Sequence, residues 1–164
     1  MNETERKKRN KARLKECYST FAQRVNNVLI DMEKQQYRPR IQEAWRSPAD
    51  QLKAYNSGHS KLKFGFHNVT NNNGNPESLA VDILDDDAPL NPSKKFLLIL
   101  AASARSQGLQ TGILWGLSSS LANGVNQAIS NGNFDALVKI GWDPCHVEVT
   151  GMKPSDAKAG MRPS

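Results

Sequence analysis

The stretch Gly141-Trp142-Asp143-Pro144-Cys145-His146-Val147-Glu148-Val149 places an aspartate three residues before a histidine. Val147 and Val149 alternate with His146 and Glu148, so a strand here puts the histidine and the glutamate on one face. Such a histidine is either a buried structural residue or a metal ligand, and the pattern alone does not separate the two. Asp82 is the second unusual residue. It interrupts the apolar run Leu79-Ala80-Val81-Asp82-Ile83-Leu84, where a lone carboxylate is costly unless it is paired or bound to a cation. His67, just before an Asn-rich stretch, is the third. Two imidazoles and one carboxylate form a catalytic zinc set, with a fourth position left for water. Asp143 is then placed to take a proton from that water and Arg46 to bind a developing oxyanion. Glu148 either orients a ligand or is a plain solvent-facing strand residue. Arg46 has its own alternative, a surface arginine paired with a nearby acid.

The elements that must position these residues are readable from periodicity. Met1–Lys15 carries seven Lys or Arg residues and runs into a helix with an apolar stripe of Leu14, Tyr18, Phe21, Val25, Val28 and Met32. The basic end should project into solvent. Pro39 breaks that helix, and 40–46 reads as a strand. Ser47-Pro48-Ala49-Asp50 is a helix start, with Leu52 and Tyr55 facing inward and Gly58 as the stop. Arg46 thus sits at a strand-to-helix corner. Residues 61–67 form a possible strand with poor alternation, and 68–77, with five Asn, is a loop. A strand over 79–84 leads to the acidic turn Asp85-Asp86-Asp87, expected to be solvated. A buried helix from Ser93 to about Gln107, a strand over 109–115 and a helix over 118–130 follow. A short turn of helix over 134–140 precedes the C-terminal strand, and 153–164 reads as a loose polar tail.

The 164 residues fit a single domain, 1–164, with a real core. No apolar run approaches the length of a membrane span, so no membrane insertion is expected. The charged N-terminus lacks a following apolar stretch, so the chain is expected to be made in the cytoplasm without a secretory signal. Cys17 and Cys145 are expected to be free thiols, Cys145 as a small buried residue. A net charge of +6 favours an acidic partner, whether nucleic acid, an anionic membrane or an anionic cell-wall polymer. The lack of a recognised reader motif and the low aromatic content argue against nucleic acid.

Taken together, the motifs resemble the zinc D-Ala-D-Ala carboxypeptidase and L-alanyl-D-glutamate endopeptidase family, which includes many phage endolysins. The matching pieces are Trp45-Arg46-Ser47 followed by Gln51 and Tyr55, Phe66-His67-Asn68, Ala80-Val81-Asp82-Ile83, Trp115-Gly116, and Asp143-Pro144-Cys145-His146-Val147-Glu148. They occur in the family's order over most of the chain. The resemblance implies zinc held by His67, Asp82 and His146, with Asp143 as catalytic base and Arg46 steadying the transition state. It implies an α+β fold of the Hedgehog and DD-peptidase kind, a small antiparallel sheet flanked by helices with the zinc site in a central cleft. Its substrates would be stem peptides of bacterial peptidoglycan, cut by a monomer that reaches the wall through a holin if phage-encoded. A non-catalytic cell-wall-binding module of the same fold is the alternative. The sequence also departs from the family. Gly65 replaces the usual serine and Ser78 a glycine, and fifteen positions separate His67 from Asp82 where seven are usual. Ser78 and Trp115 are therefore further candidates for contact with a ligand or the substrate, Trp115 chiefly as cleft wall. His59 is the alternative to His67.

Overall fold

The computed structural model describes residues 1–164. Six helices accompany a four-stranded antiparallel sheet, giving an α+β architecture. In chain order the elements are α1 (Glu3–Leu14), α2 (Ser19–Lys34), β1 (Pro39–Glu43), α3 (Pro48–Asn56), β2 (Ala80–Asp85), α4 (Lys94–Ser106), β3 (Leu109–Gly112), α5 (Ser119–Ser130), β4 (Asp143–Val149) and α6 (Pro154–Lys158). The strand order is β1-β2-β4-β3.

Alternation gives the sheet two different faces. Ile41, Val81, Ile83, Val147, Val149 and Leu109 point to one side and join a continuous core with Phe21, Val25 and Met32 of α2 and Phe96, Leu98 and Leu100 of α4. Asp82, His146 and Glu148 point to the other. The core-forming helices begin as their sequences direct, with the hydroxyls of Ser93 and Ser118 capping α4 and α5.

Several expectations are corrected. The N-terminal helix is not continuous. Cys17 forms a bridge with Ser78, and the Tyr18 N–H donates to the Ser78 carbonyl at 3.0 Å, so the chain is extended where α1 would have joined α2. Nor does the basic end of α1 simply project into solvent. Arg6 is fully buried, and α1 closes the free edge of β1 with side chains: Arg6 and Asn10 donate to the Pro39 carbonyl at 2.7 and 3.0 Å, and Arg9 donates to those of Ile41 and Gln42. The Ile41 N–H donates back to Asn10 at 2.8 Å. An edge strand whose polar groups are paired in this way has little left to offer another strand. The acidic turn after β2 is also tied down. Asp86 is nearly buried and pairs with Arg38, Arg40 and the N-terminal amine, while Asp87 pairs with Arg38.

Residues 61–67 do not form a strand. They lead into a single 3-10 turn, Phe66–Asn68, because the Asn68 side chain takes over the local backbone, accepting from the Gly65 N–H and donating to the Arg46 carbonyl, each at 2.8 Å. Residues 134–140 are not helical either. Phe134, Ala136, Val138 and Ile140 pack on the core while Asp135, Leu137 and Lys139 are exposed, a period of two that belongs to extended chain. Leu52 and Tyr55 of α3 are exposed, and the inward residue is Gln51. The tail is not loose, since it contains α6 and Arg162, which donates to the Thr70 carbonyl at 2.7 Å and pairs with Glu77, pinning both ends of the Asn-rich loop. No helix is long and apolar enough to cross a membrane.

Candidate metal centre

Strand register assembles the centre. Asp82 of β2 lies directly opposite His146 of β4, and Glu43 lies opposite Asp82 across β1. Directly opposed residues share a face with their Cβ atoms about 5 Å apart, close enough for short side chains to meet. His67 arrives from outside the sheet on the 3-10 turn, which is fastened to the β1–α3 corner by the Arg46 N–H donating to the His67 carbonyl at 2.9 Å. One donor atom from each of His67, Asp82 and His146 falls within 4.8 Å of the others, a group that could hold a metal ion.

The finer geometry fits that role. Asp82 Oδ1 is 3.5 Å from His67 Nε2 and 3.3 Å from His146 Nδ1. Charge-assisted hydrogen bonds between such groups close to about 2.8 Å. Two donors about 2.1 Å from a shared tetrahedral ion stand about 3.4 Å apart. The remaining nitrogens are held from behind, as is usual for metal-ligating histidines. His67 Nδ1 lies 2.6 Å from the Ala44 carbonyl and donates to it, while His146 Nε2 lies 2.7 Å from Glu148 Oε1. Glu148 is fixed in turn by Gln110, which donates to its other oxygen at 3.1 Å. Each imidazole therefore turns one fixed nitrogen toward the Asp82 carboxylate.

The cleft around this group has a volume of about 440 Å³ and is lined by Arg46, Asp143, Glu148 and Trp115 as well as the three donors. Trp115 forms a wall, its ring centroid 5.1 Å from that of His146 and 5.3 Å from that of Trp142. The turn that carries Trp142 and Asp143 presses on the chain after β3. Gly141 donates to the Ile113 carbonyl, and a Cβ at Gly141 would come within 2.5 Å of that oxygen, so only glycine fits. Arg46 does pair with an acid, as its alternative reading held, yet it still faces the cleft. Its Nε and Nη2 donate to Glu43 at 2.7 and 2.6 Å and its Nη1 donates to Gln51 at 2.9 Å. Two of the five N–H donors of a guanidinium remain free.

Burial pushes the Asp143 carboxyl above the ordinary carboxylate range, with Asp82 adding to the effect and His146 opposing it. Burial acts on Asp82 in the same direction, but the two imidazoles outweigh it and hold that carboxyl well below the ordinary range. Burial would lower His146; Asp82 and Glu148 overcome it and raise the imidazole to about 10. A cation that takes Nδ1 must displace the proton this favours. The Cys145 thiol is pushed by burial up to about 12, consistent with an inert apolar residue.

Two candidates fall outside the cluster. Ser78 is fully buried and does not line the cleft. Its hydroxyl lies 3.0 Å from the same Ala44 carbonyl that accepts from His67, so it supports that candidate ligand from one step back and is not available to a substrate. His59 lines the cleft but is exposed and bonded to Ser57. Glu43 and the Ala44 carbonyl were missed by sequence reasoning. Backbone carbonyls leave no sequence signal, and Glu43, which pairs with Arg46 three residues on, lies beside an irregularity in the β1–β2 register. No protein-family model, curated protein or solved structure matches this chain.

Proposed function

We propose that this chain is a zinc-dependent peptidase that hydrolyses stem-peptide bonds of bacterial peptidoglycan, such as L-alanyl-D-glutamate or D-Ala-D-Ala, on a Hedgehog and DD-peptidase-like fold. The observation that carries the reading is the pair of 3.3 and 3.5 Å separations at Asp82, with each imidazole held from behind by a fixed oxygen. The donor set of two imidazole nitrogens and one carboxylate, with one side open to a cleft, is that of a catalytic zinc site and not of a closed structural one.

Zinc held by His67, Asp82 and His146 would supply Lewis acidity toward a peptide carbonyl and toward the proton of a water. Asp143 lines the same cleft and accepts the proton of the attacking water, then returns it to the leaving amine. Its upward shift brings it nearer the working range of a general base and acid. Arg46, immobilised by Glu43 and Gln51, donates its free N–H groups to the carbonyl oxygen as that oxygen gains charge. Glu148 fixes the orientation of His146. The excess of basic residues suits an anionic wall, and a phage endolysin released through a holin is the setting this reading implies.

The test pairs zinc content with turnover. The parent should hold about one zinc per chain and release amino groups from purified peptidoglycan, whereas Asp143→Ala should keep the zinc and lose the release. A parent that binds zinc and wall without releasing amino groups would refute the peptidase and leave a cell-wall-binding module.

A further inference from the structure

Besides its histidines, the cleft carries the cationic side chains of Arg46, Lys61 and Lys153, and they are not alike. Arg46 is bound to Glu43, whereas Lys61 and Lys153 line the cleft without a carboxylate partner. Lys61 is not a freely roaming surface lysine. The residues on either side of it are anchored by one buried amide: Gln51 Nε2 donates to Ser60 Oγ at 2.9 Å and to the Leu62 carbonyl at 2.6 Å. Gln51 is 2% exposed, and its Oε1 accepts from Arg46. The backbone that presents Lys61 is therefore tied to the arginine at the centre of the cleft. The ammonium rests 5.4 Å from the centroid of the Trp142 ring, which is 55% exposed at the cleft. A cation over an indole face is partly satisfied but keeps N–H donors for an anion.

We infer that Lys61, set over Trp142 and anchored through Gln51, forms a subsite for a substrate carboxylate beside the bond to be cut. This rests on the peptidase reading above and names the substrate class it takes, peptides with a free carboxylate near the scissile bond in preference to their carboxamides. Asp82, Asp143 and Glu148 line the cleft around the metal group and Arg46 is already paired with Glu43, so a substrate carboxylate is best met by an unpaired cation set apart from these acids. Lys61 supplies it on a fixed segment, and Trp142 gives the adjoining backbone an apolar surface.

Two synthetic peptides test it, identical but for a free α-carboxylate or a carboxamide next to an L-Ala–D-Glu-type bond. Binding is measured calorimetrically on the zinc-loaded Asp143→Ala chain, with and without Lys61→Gln. The carboxylate peptide should bind about three- to tenfold more tightly, the range of a partly exposed charge-assisted contact. Lys61→Gln should bring that ratio close to one and leave carboxamide binding unchanged. Equal affinities in the Lys61 chain, or a preference that survives Lys61→Gln, would overturn the subsite. The readout is binding alone. A Lys61-dependent preference in a chain whose Asp143 form cleaves neither peptide would support the subsite while refuting the peptidase.

Discussion

Glu148 offers the sharpest check on the proposed metal centre, because it is hydrogen-bonded to the proposed ligand His146 and to neither of the other two donors. Its Oε1 lies 2.7 Å from His146 Nε2, and its Oε2 is held at 3.1 Å by Gln110. The carboxylate therefore does two things: it fixes the ring so that Nδ1 faces Asp82, and it raises the basicity of the imidazole. Glu148→Gln keeps an acceptor of the same shape and removes the charge, so it loses mainly the second effect. Glu148→Ala loses both. Partners of this kind are worth about 10- to 100-fold in metal affinity. We expect about a tenfold loss for Glu148→Gln and about a hundredfold loss for Glu148→Ala, or about 1.4 and 2.7 kcal/mol. Gln110→Ala, one contact further out, should cost less than either. The assay is zinc competition against a chelating dye at fixed pH. Thermal unfolding without zinc should be run alongside, to show that each variant folds. If Glu148→Ala binds zinc as tightly as the parent, His146 is not a ligand through Nδ1 and the assignment of the site is wrong.

Two further outcomes test the frame that carries the site. Asn10→Ala strands the buried Ile41 N–H, whose partner is Asn10 Oδ1, and should cost about 2 kcal/mol, lowering Tm by about 4–8 °C; an unchanged Tm would mean that α1 does not seal β1. Glu3 is held down to about 2 by hydrogen bonds from Arg6 and then Arg38, from an ordinary value of 4.5. Because the folded chain then binds its proton at lower pH than the unfolded chain, the stabilisation is full above about 4.5 and lost as pH falls toward about 2. The Tm difference between the parent and Glu3→Gln should therefore shrink between pH 6 and pH 2.5, and a difference that is constant or grows would contradict the pairing.

The four strands of the sheet and the helices α3, α4 and α5 were legible in outline because their apolar periodicity and caps are local properties. The errors fell where a distant partner decides the conformation. Leu14 and Tyr18 continue an apolar stripe, yet the chain between them is drawn out so that Cys17 bridges to Ser78, far along the sequence. The lysines and arginines of α1 look alike in sequence, but Arg6, Arg9 and Asn10 are set apart by facing the carbonyls of β1. Leu52 and Tyr55 outrank Gln51 on any hydrophobic scale. Gln51 is buried instead because Ser60 and Leu62 take both of its amide N–H groups and Arg46 donates to its oxygen. The segment 134–140 is a different case, since its period of two was present in the sequence and the helical reading overlooked it.

The same distinction explains how His67 reaches Asp82 across fifteen positions. Sequence spacing would govern their meeting only if the chain between them ran directly from one to the other. It does not. The Glu77 N–H donates to the Val69 carbonyl and Thr70 pairs with Pro76, so the Asn-rich residues leave and return at one place. Asn71 caps the excursion by accepting from the N–H groups of Asn73 and Asn75. Arg162 clamps its base through Thr70 and Glu77. For the centre, the effective connection is therefore the short one from Val69 to Glu77, followed by Ser78, whose hydroxyl lies near the carbonyl that orients His67. The fixed point is the register of β2 on β4, which sets Asp82 opposite His146 whatever the length of the loop. Shortening the loop between Asn71 and Asn75 should accordingly leave zinc affinity within about twofold of the parent, since loop length changes closure entropy only slowly. Arg162→Ala, which frees the base of the same loop, should weaken binding more. If the shortened loop loses zinc while Arg162→Ala keeps it, the excursion itself and not its clamped base positions His67.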